Sequence, residues 1–477
     1  MTNAPAMNRS LSQQIRSLPA RTDIFLLIFL LFFTVDSVVM KPVALAGAII
    51  ILWRHRAKLK FKDAPLFYLL IPAMEILRFI FFNKDFSAGH WATALIGVSY
   101  WLMAYAAFLI VRYRAEINGG YKMAGTLTTW FYINVGYSIW QLVMTMVHAH
   151  SWNPYNSADI LYGNSTGDYI KGIMLAPCYL NMFVNSFFTV WFLYQKKWGR
   201  ALLATFICCL TTTNFANIIF LPVLLLLVFV LKEKMARLTT LACVGMFVLF
   251  SVFISSGNLA YLRASMSNTA GKISSRPISL SDTASHLPRK DSPRPSRLNI
   301  GAIYERLARP NGKVLSWKET WAYATAAPAH ALAGAGIGNF SSLLALHMAH
   351  IYGRRHSRFY ELMPVYIHPA YRANHYQIMN DVYALPEGYH SARHMPHSFP
   401  NQLIGEYGLI GVLFFVFGYV WYFLKRGIGR GHFLIIMLLT GVYLWFDYLF
   451  EYLSVMVIFE LFFWQYRAEV TKAHTNA

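Results

Sequence analysis

His397 and Glu406 stand nine residues apart in "PHSFPNQLIGEYGLIG", where a long polar segment meets an apolar run of membrane length. A histidine titrates near neutral pH, so it can take a proton from a hydroxyl without help from a cofactor. It lies beside a segment rich in Lys and Arg, and fixed cations can hold an anionic leaving group. Together these residue types suit group transfer to a hydroxyl from a donor whose leaving group departs charged. On an unbroken helix nine residues turn through about 900°, which would set His397 and Glu406 on opposite faces. Pro400 is therefore expected to open the helix and leave His397 in the preceding loop. Glu406 then either orients the histidine or a loop arginine, or anchors the loop to the bundle. Gly408 and Gly411 have small-x-x-small spacing and are expected to permit close helix packing.

Other residues compete for a chemical role. His390, His394 and His397 have spacings that suit a metal ligand set, but no HExxH pattern accompanies them and Pro396 interrupts a helix through them. No metal and no cofactor are expected. "GAGIGNF", from Gly334 to Phe340, follows no predicted strand and misses the dinucleotide fingerprint. A tight turn that brings the backbone close to another element is the expectation. Glu75 and Arg78 share a helical face inside an apolar run, and charges in such a place pair with each other and either fix packing or mark function. Asp447 and Glu451, four apart, either bind loop cations or cap the bundle.

The elements that must position these residues are membrane helices. The chain has 477 residues, of which 56% are hydrophobic and only 13% charged. Repeated apolar runs, without the alternation of barrel strands, make this an all-α integral membrane protein. About 12 transmembrane helices are predicted, near 24–39, 41–53, 65–83, 92–111, 124–146, 176–195, 201–213, 214–231, 238–255, 402–424, 433–450 and 452–466. A tail (1–23) precedes spans 1 to 9 (24–255). One large loop (256–401) follows, then spans 10 to 12 (402–466) and a second tail (467–477).

Charge sets the orientation. Segments on the side of the termini hold 22 Lys and Arg, while the short loops opposite hold three, so both termini are expected in the cytoplasm. The large loop carries 16 more basic residues and is expected outside, because long loops translocate regardless of charge. The net charge of +21 thus reads as attraction to an anionic inner leaflet and to an anionic ligand outside, not to nucleic acid. "ALA" at 44–46 mimics a signal cleavage site but lies within the second span. The four cysteines fall in or at the ends of spans, so no disulfide framework is expected in the loop. The loop opens with a Ser-, Pro- and Arg-rich stretch too polar to fold alone. Farther on, Trp317, Trp321 and Ala324 are predicted to share one face of an amphipathic helix at the membrane surface or bundle top.

"PHSFPNQLIGEYGLIGVLFF" resembles the signature of the O-antigen ligase and polymerase superfamily, in which a histidine, a glutamate nine residues on and Gly-x-x-Gly open a transmembrane helix. His397, Glu406, Gly408 and Gly411 match it. "NGKVLSWKETWAYATAAPAHALAGAGIGNF" is similar to the family's upstream segment, with Lys313, Trp317, Pro328, Gly334, Gly336, Gly338, Asn339 and Phe340 in place. The resemblance covers about residues 200 to 425 by motif and the whole chain by layout. It implies a metal-independent glycosyltransferase of a bacterial inner membrane, with the large loop in the periplasm. The donor would be an undecaprenyl-diphosphate-linked oligo- or polysaccharide. The acceptor would be a growing glycan, lipid A-core or another hydroxyl. His397 and Glu406 would be catalytic, and basic loop residues would hold the diphosphate. Two positions depart from the pattern: Asn214 and Lys313 stand where the family has arginine. Lysine binds phosphate as a point charge without the bidentate fork. Arg306, Arg309 and Arg393 are the candidates to complete the clamp around Lys313.

The alternative is a transporter or flippase of a lipid-linked oligosaccharide or another anionic envelope precursor. Such a protein should show matching halves, which this chain lacks. A non-catalytic envelope scaffold is the third reading. Ligase and polymerase share these motifs, so the residues do not separate them.

Overall fold

The computed structural model describes residues 21–53, 64–82, 85–156, 166–212, 219–255, 312–351, 358–383, 395–426 and 431–475. Among these residues every regular element is a helix. Three helices are long and apolar enough to cross a membrane by length and composition: Ala88–Asn118, Lys234–Ile254 and Phe399–Lys425. Their 31, 21 and 27 residues span about 30–45 Å at 1.5 Å per residue, against a hydrocarbon core of about 30 Å.

In chain order the helices are α1 (Ile24–Phe33), α2 (Met40–Trp53), α3 (Phe67–Phe82), α4 (Ala88–His148), α5 (Cys178–Tyr194), α6 (Trp198–Leu210), α7 (Leu221–Val230) and α8 (Lys234–Leu249). The expected outside loop supplies α9 (Gly312–Ala326), α10 (Pro328–Ala333), α11 (Leu343–Met348), α12 (Pro369–Asn374) and α13 (Tyr376–Tyr383). The chain ends with α14 (Phe399–Leu413), α15 (His432–Phe446) and α16 (Leu453–Thr475). Asp23 opens α1 by accepting the Leu26 N–H, and Ser398 with Pro400 opens α14 as its proline dictates.

Two spans were expected over 92–111 and 124–146, and one run of helical residues, Ala88–His148, covers both. Its neighbours show how both descriptions fit. Tyr100 bonds Glu451, Phe108 packs on Trp464 and Gly120 touches Ala468, so the first half runs parallel to α16. Helix α5 also runs parallel to α16, through Tyr179–Tyr452, Phe187–Phe462 and Gln195–Glu469. The second half of α4 runs against α5: Phe131 packs on Phe192, and Gln141 reaches Gly172, ahead of the start of α5. The run therefore folds back as two antiparallel arms. Asp23 sits at the bend, held by Arg114, Asn118 and Thr126 at 2.6–2.9 Å.

Between helices in lipid there is no solvent to drive association, so packing and buried polar pairs must hold the bundle. Aromatic rings fill its centre, with Phe67 edge-on to Trp101, Phe415 and Phe450. Such pairs contribute about 0.5–1.5 kcal/mol each beyond burial. Asn134 donates to Asn181 at 2.8 Å, and the Ser186 and Tyr443 hydroxyls bond at 3.0 Å.

Helix α9 differs from the amphipathic pattern expected of it. Lys313, Ser316, Thr320, Tyr323 and Ala324 face inward, whereas Trp321 is 62% exposed. The inward polar side chains have partners. Asn401 donates to Ser316 at 2.7 Å, and Thr320 meets His375 at 3.1 Å. Trp317 stacks on Trp445 at the end of α15, with ring centroids 4.8 Å apart.

Candidate functional site

His397 lies in the extended residues just before α14, and its ring is held from both sides. Nδ1 is 3.3 Å from Asp447 Oδ1, and Nε2 is 2.9 Å from the Tyr383 hydroxyl. Tyr448 packs on the ring with centroids 4.8 Å apart. Only 3% of His397 is exposed. Asp447 is as firmly placed. It follows the last residue of α15, donates its own N–H to Tyr443 O, accepts the Phe399 N–H at its carbonyl, and accepts the Tyr448 N–H at its carboxylate. An anionic acceptor at Nδ1 keeps the ring proton there and leaves the Nε2 lone pair for a hydroxyl.

Lys313 staples this pair. Its Nζ donates to His397 O at 2.6 Å and to Phe446 O at 2.6 Å. These are the carbonyl of the histidine itself and the carbonyl next to Asp447. The ammonium also lies 5.4 Å from the Phe446 ring centre. Burial pushes the Lys313 ammonium down to about 7, opposed by the charge of Asp447. The lysine thus fixes the backbone on both sides of the His397–Asp447 pair.

Glu406 is fully buried but faces elsewhere. Its carboxylate takes the Phe340 N–H at 3.4 Å and the Gln402 amide at 3.5 Å, so it meets the glycine turn and not the imidazole. The turn is built on Gly334, Gly336 and Gly338 with φ of 63°, 96° and 68°, the region that glycine alone enters freely. Within α14, Gly408 leaves the helix at φ 62°, ψ −161°. That break frees the carbonyls of Gly405 and Glu406, which accept the Ala335 and Gly336 N–H groups at 2.8 Å each. The approach is reciprocal. A Cβ on Gly334 would lie 2.4 Å from Glu406 C, and one on Gly408 would lie 2.5 Å from Leu332 C. The glycines at 408 and 411 were expected to seat one membrane helix on another. Instead Gly408 admits the turn, and a Cβ on Gly411 would strike Tyr407 of its own helix.

Glu75 and Arg78 hold the same turn from α3. Glu75 accepts the Ile337 N–H at 3.2 Å, and Arg78 donates to Ala333 O at 3.2 Å. Glu451 accepts the Leu343 N–H and the Gln402 amide, and so belongs to the turn's support. Arg306, Arg309 and Arg393 lie outside the described residues, as do Asn214, His390 and His394. Among the described residues no group of three or more His, Cys, Asp and Glu side chains could hold a metal ion.

The site therefore joins His397 to Lys313, which the sequence singled out, and to Asp447 and Tyr383, whose pairing with the histidine it did not signal. Two acidic residues four apart at a span end, Asp447 and Glu451, were the available cue for Asp447. Nothing in the spacing marks Tyr383. Comparison of the chain with family models, with curated proteins and with solved structures finds no match.

Proposed function

We propose that this protein is a metal-independent glycosyltransferase of the O-antigen ligase or polymerase type, in the inner membrane of a bacterium. In this reading about twelve spans carry the chain, both termini are cytoplasmic, and the 256–401 segment lies in the periplasm. One observation carries the reading: the buried Asp447–His397 pair whose free nitrogen meets a hydroxyl at 2.9 Å.

The chemistry follows from that pair. The acceptor hydroxyl oxygen attacks the anomeric carbon of the glycan on its polyprenyl diphosphate carrier. The bond from that carbon to the phosphate oxygen breaks, and the carrier diphosphate leaves with the electron pair. His397 Nε2 takes the hydroxyl proton, and Asp447 stabilises the imidazolium that forms. The donor carries its own activation, so no ATP is needed. Lys313, already bonded to two carbonyls, acts here as a positioning residue. The basic residues at 306, 309 and 393 remain the candidates for the diphosphate.

The test is transfer in vitro from undecaprenyl-diphosphate oligosaccharide to candidate acceptors, without ATP. Wild type should release the carrier diphosphate and His397→Ala should not; the product's size then separates ligase from polymerase. Equal release by both proteins would overturn the assignment of His397 as base.

A further inference from the structure

We propose that the Tyr383 hydroxyl occupies the place of the acceptor hydroxyl, and that the acceptor enters by displacing it from His397. The inference rests on the reading of His397 as the base. The two hydrogen-bonding partners of the ring are unequal. Asp447 is fixed by main-chain bonds on both sides and is buried. Tyr383 is the last residue of α13, where Met379 and Val382 are buried and the tyrosine itself is half-buried. Its hydroxyl lies 2.9 Å from Nε2, the nitrogen that the proposed chemistry requires. Tyr448, the other ring against the histidine, has its hydroxyl committed to Ser341 at 2.7 Å.

The Tyr383 hydroxyl beside Nε2 stands where a sugar hydroxyl would make an O–H···N contact of the same kind. With His397 97% covered, an acceptor cannot share this nitrogen; it must replace the group that bonds it. Displacement is chemically balanced, because one O–H···N bond is exchanged for another. It also sets a requirement on the acceptor. A hydroxyl can take over the bond, whereas a protonated amine brings a charge and no lone pair for attack.

The experiment reads access to His397 without relying on transfer. Wild type, Tyr383→Phe and Tyr383→Ala are treated in detergent with diethyl pyrocarbonate, which ethoxycarbonylates unprotonated imidazole, and each histidine is followed by mass spectrometry. His148, which is exposed, and His375, which is fully buried, report reagent strength and unfolding. The expected result is slow modification of His397 in wild type. In Tyr383→Phe it should be about fivefold faster, the factor that matches loss of one neutral hydrogen bond. It should be faster still in Tyr383→Ala, with His148 and His375 unchanged. If Tyr383→Ala exposes His375 and so unfolds, Tyr383→Phe, which keeps the ring, decides. Equal rates at His397 in wild type and Tyr383→Phe, with His375 silent, overturn the proposal. Absence of transfer by wild type, with the labelling pattern as expected, would instead count against the glycosyltransferase reading.

Discussion

Asp447 and Lys313 each hold His397 by a different atom, and the two have separable signatures. Asp447→Asn keeps the shape of the side chain but lets its amide meet Nδ1, so the ring turns its lone pair inward. The expected outcome is a fall of about 10²–10⁴-fold in kcat, with acceptor KM and thermal midpoint near wild type. A merely structural aspartate would move the midpoint and leave kcat largely intact. Lys313 carries a pH signature. Its folded pKa, about 7, lies below the ordinary lysine value of 10.5, so between these pH values the unfolded chain binds more protons than the native one. Stability therefore rises with pH across that window. The Tm of wild type minus that of Lys313→Met should increase from pH 7 to 10; a flat or falling difference would contradict the burial of this ammonium. His397 was legible in the sequence because its neighbours in the chain mark it. Asp447 was named, but not its pairing with His397, because that partner lies 50 positions upstream and only packing joins them. Asp447 and Glu451 read as neighbours at a span end that bind loop cations or cap the bundle, but the turn at Leu449–Glu451 sends one to the imidazole and the other to α11.

At the scale of elements, the glycine turn and α14 form one unit. Gly334→Ala and Gly408→Ala each place a methyl on backbone atoms and force a left-handed φ on alanine. Each should destabilise by at least about 1–3 kcal/mol, seen as a lower Tm and poorer recovery in detergent. A wild-type Tm for either would contradict the contact. Glu406 lends itself to a sharper comparison. Glu406→Gln keeps an acceptor for the Phe340 N–H and should retain most activity, whereas Glu406→Ala leaves that donor unpaired at a cost of about 1–3 kcal/mol. Should the Gln variant lose activity at unchanged Tm, Glu406 takes part in the chemistry and not only in the support of the turn. "GAGIGNF" was readable as a tight turn because three glycines in five residues allow little else. Its partner was not readable: Gly408 looks like any small residue in a membrane helix until the break is seen. Glu75 and Arg78 read as a pair and do interact, but spacing shows only which residues share a face, not that the glycine turn lies opposite it.

For the whole molecule, the apolar runs were legible because lipid offers no partner to an unbonded backbone and so demands helices. The return of α4 on itself was expected from the basic residues between its halves. The orientation remains a proposal with a direct test. Trp152→Cys, at a side chain 94% exposed, should react with an impermeant maleimide in intact cells, and Lys232→Cys only after permeabilisation. The native cysteines in the described bundle are buried and contribute no background. The reverse pattern would place His397 in the cytoplasm and remove the case for a lipid-linked donor outside.

The backbone bonds between the two glycine segments also bear on how the chain is made. Ala335 and Gly336 leave the ribosome about seventy residues before the carbonyls they bond. A nascent chain halted short of Gly405 carries two amides with no acceptors. A helix made without the turn at its break carries two bare carbonyls, those of Gly405 and Glu406. Neither half-made state can hide these groups by itself, and only the arrival of the counterpart covers them. Turn and helix thus complete each other's backbone bonding only once both segments have been made and have met.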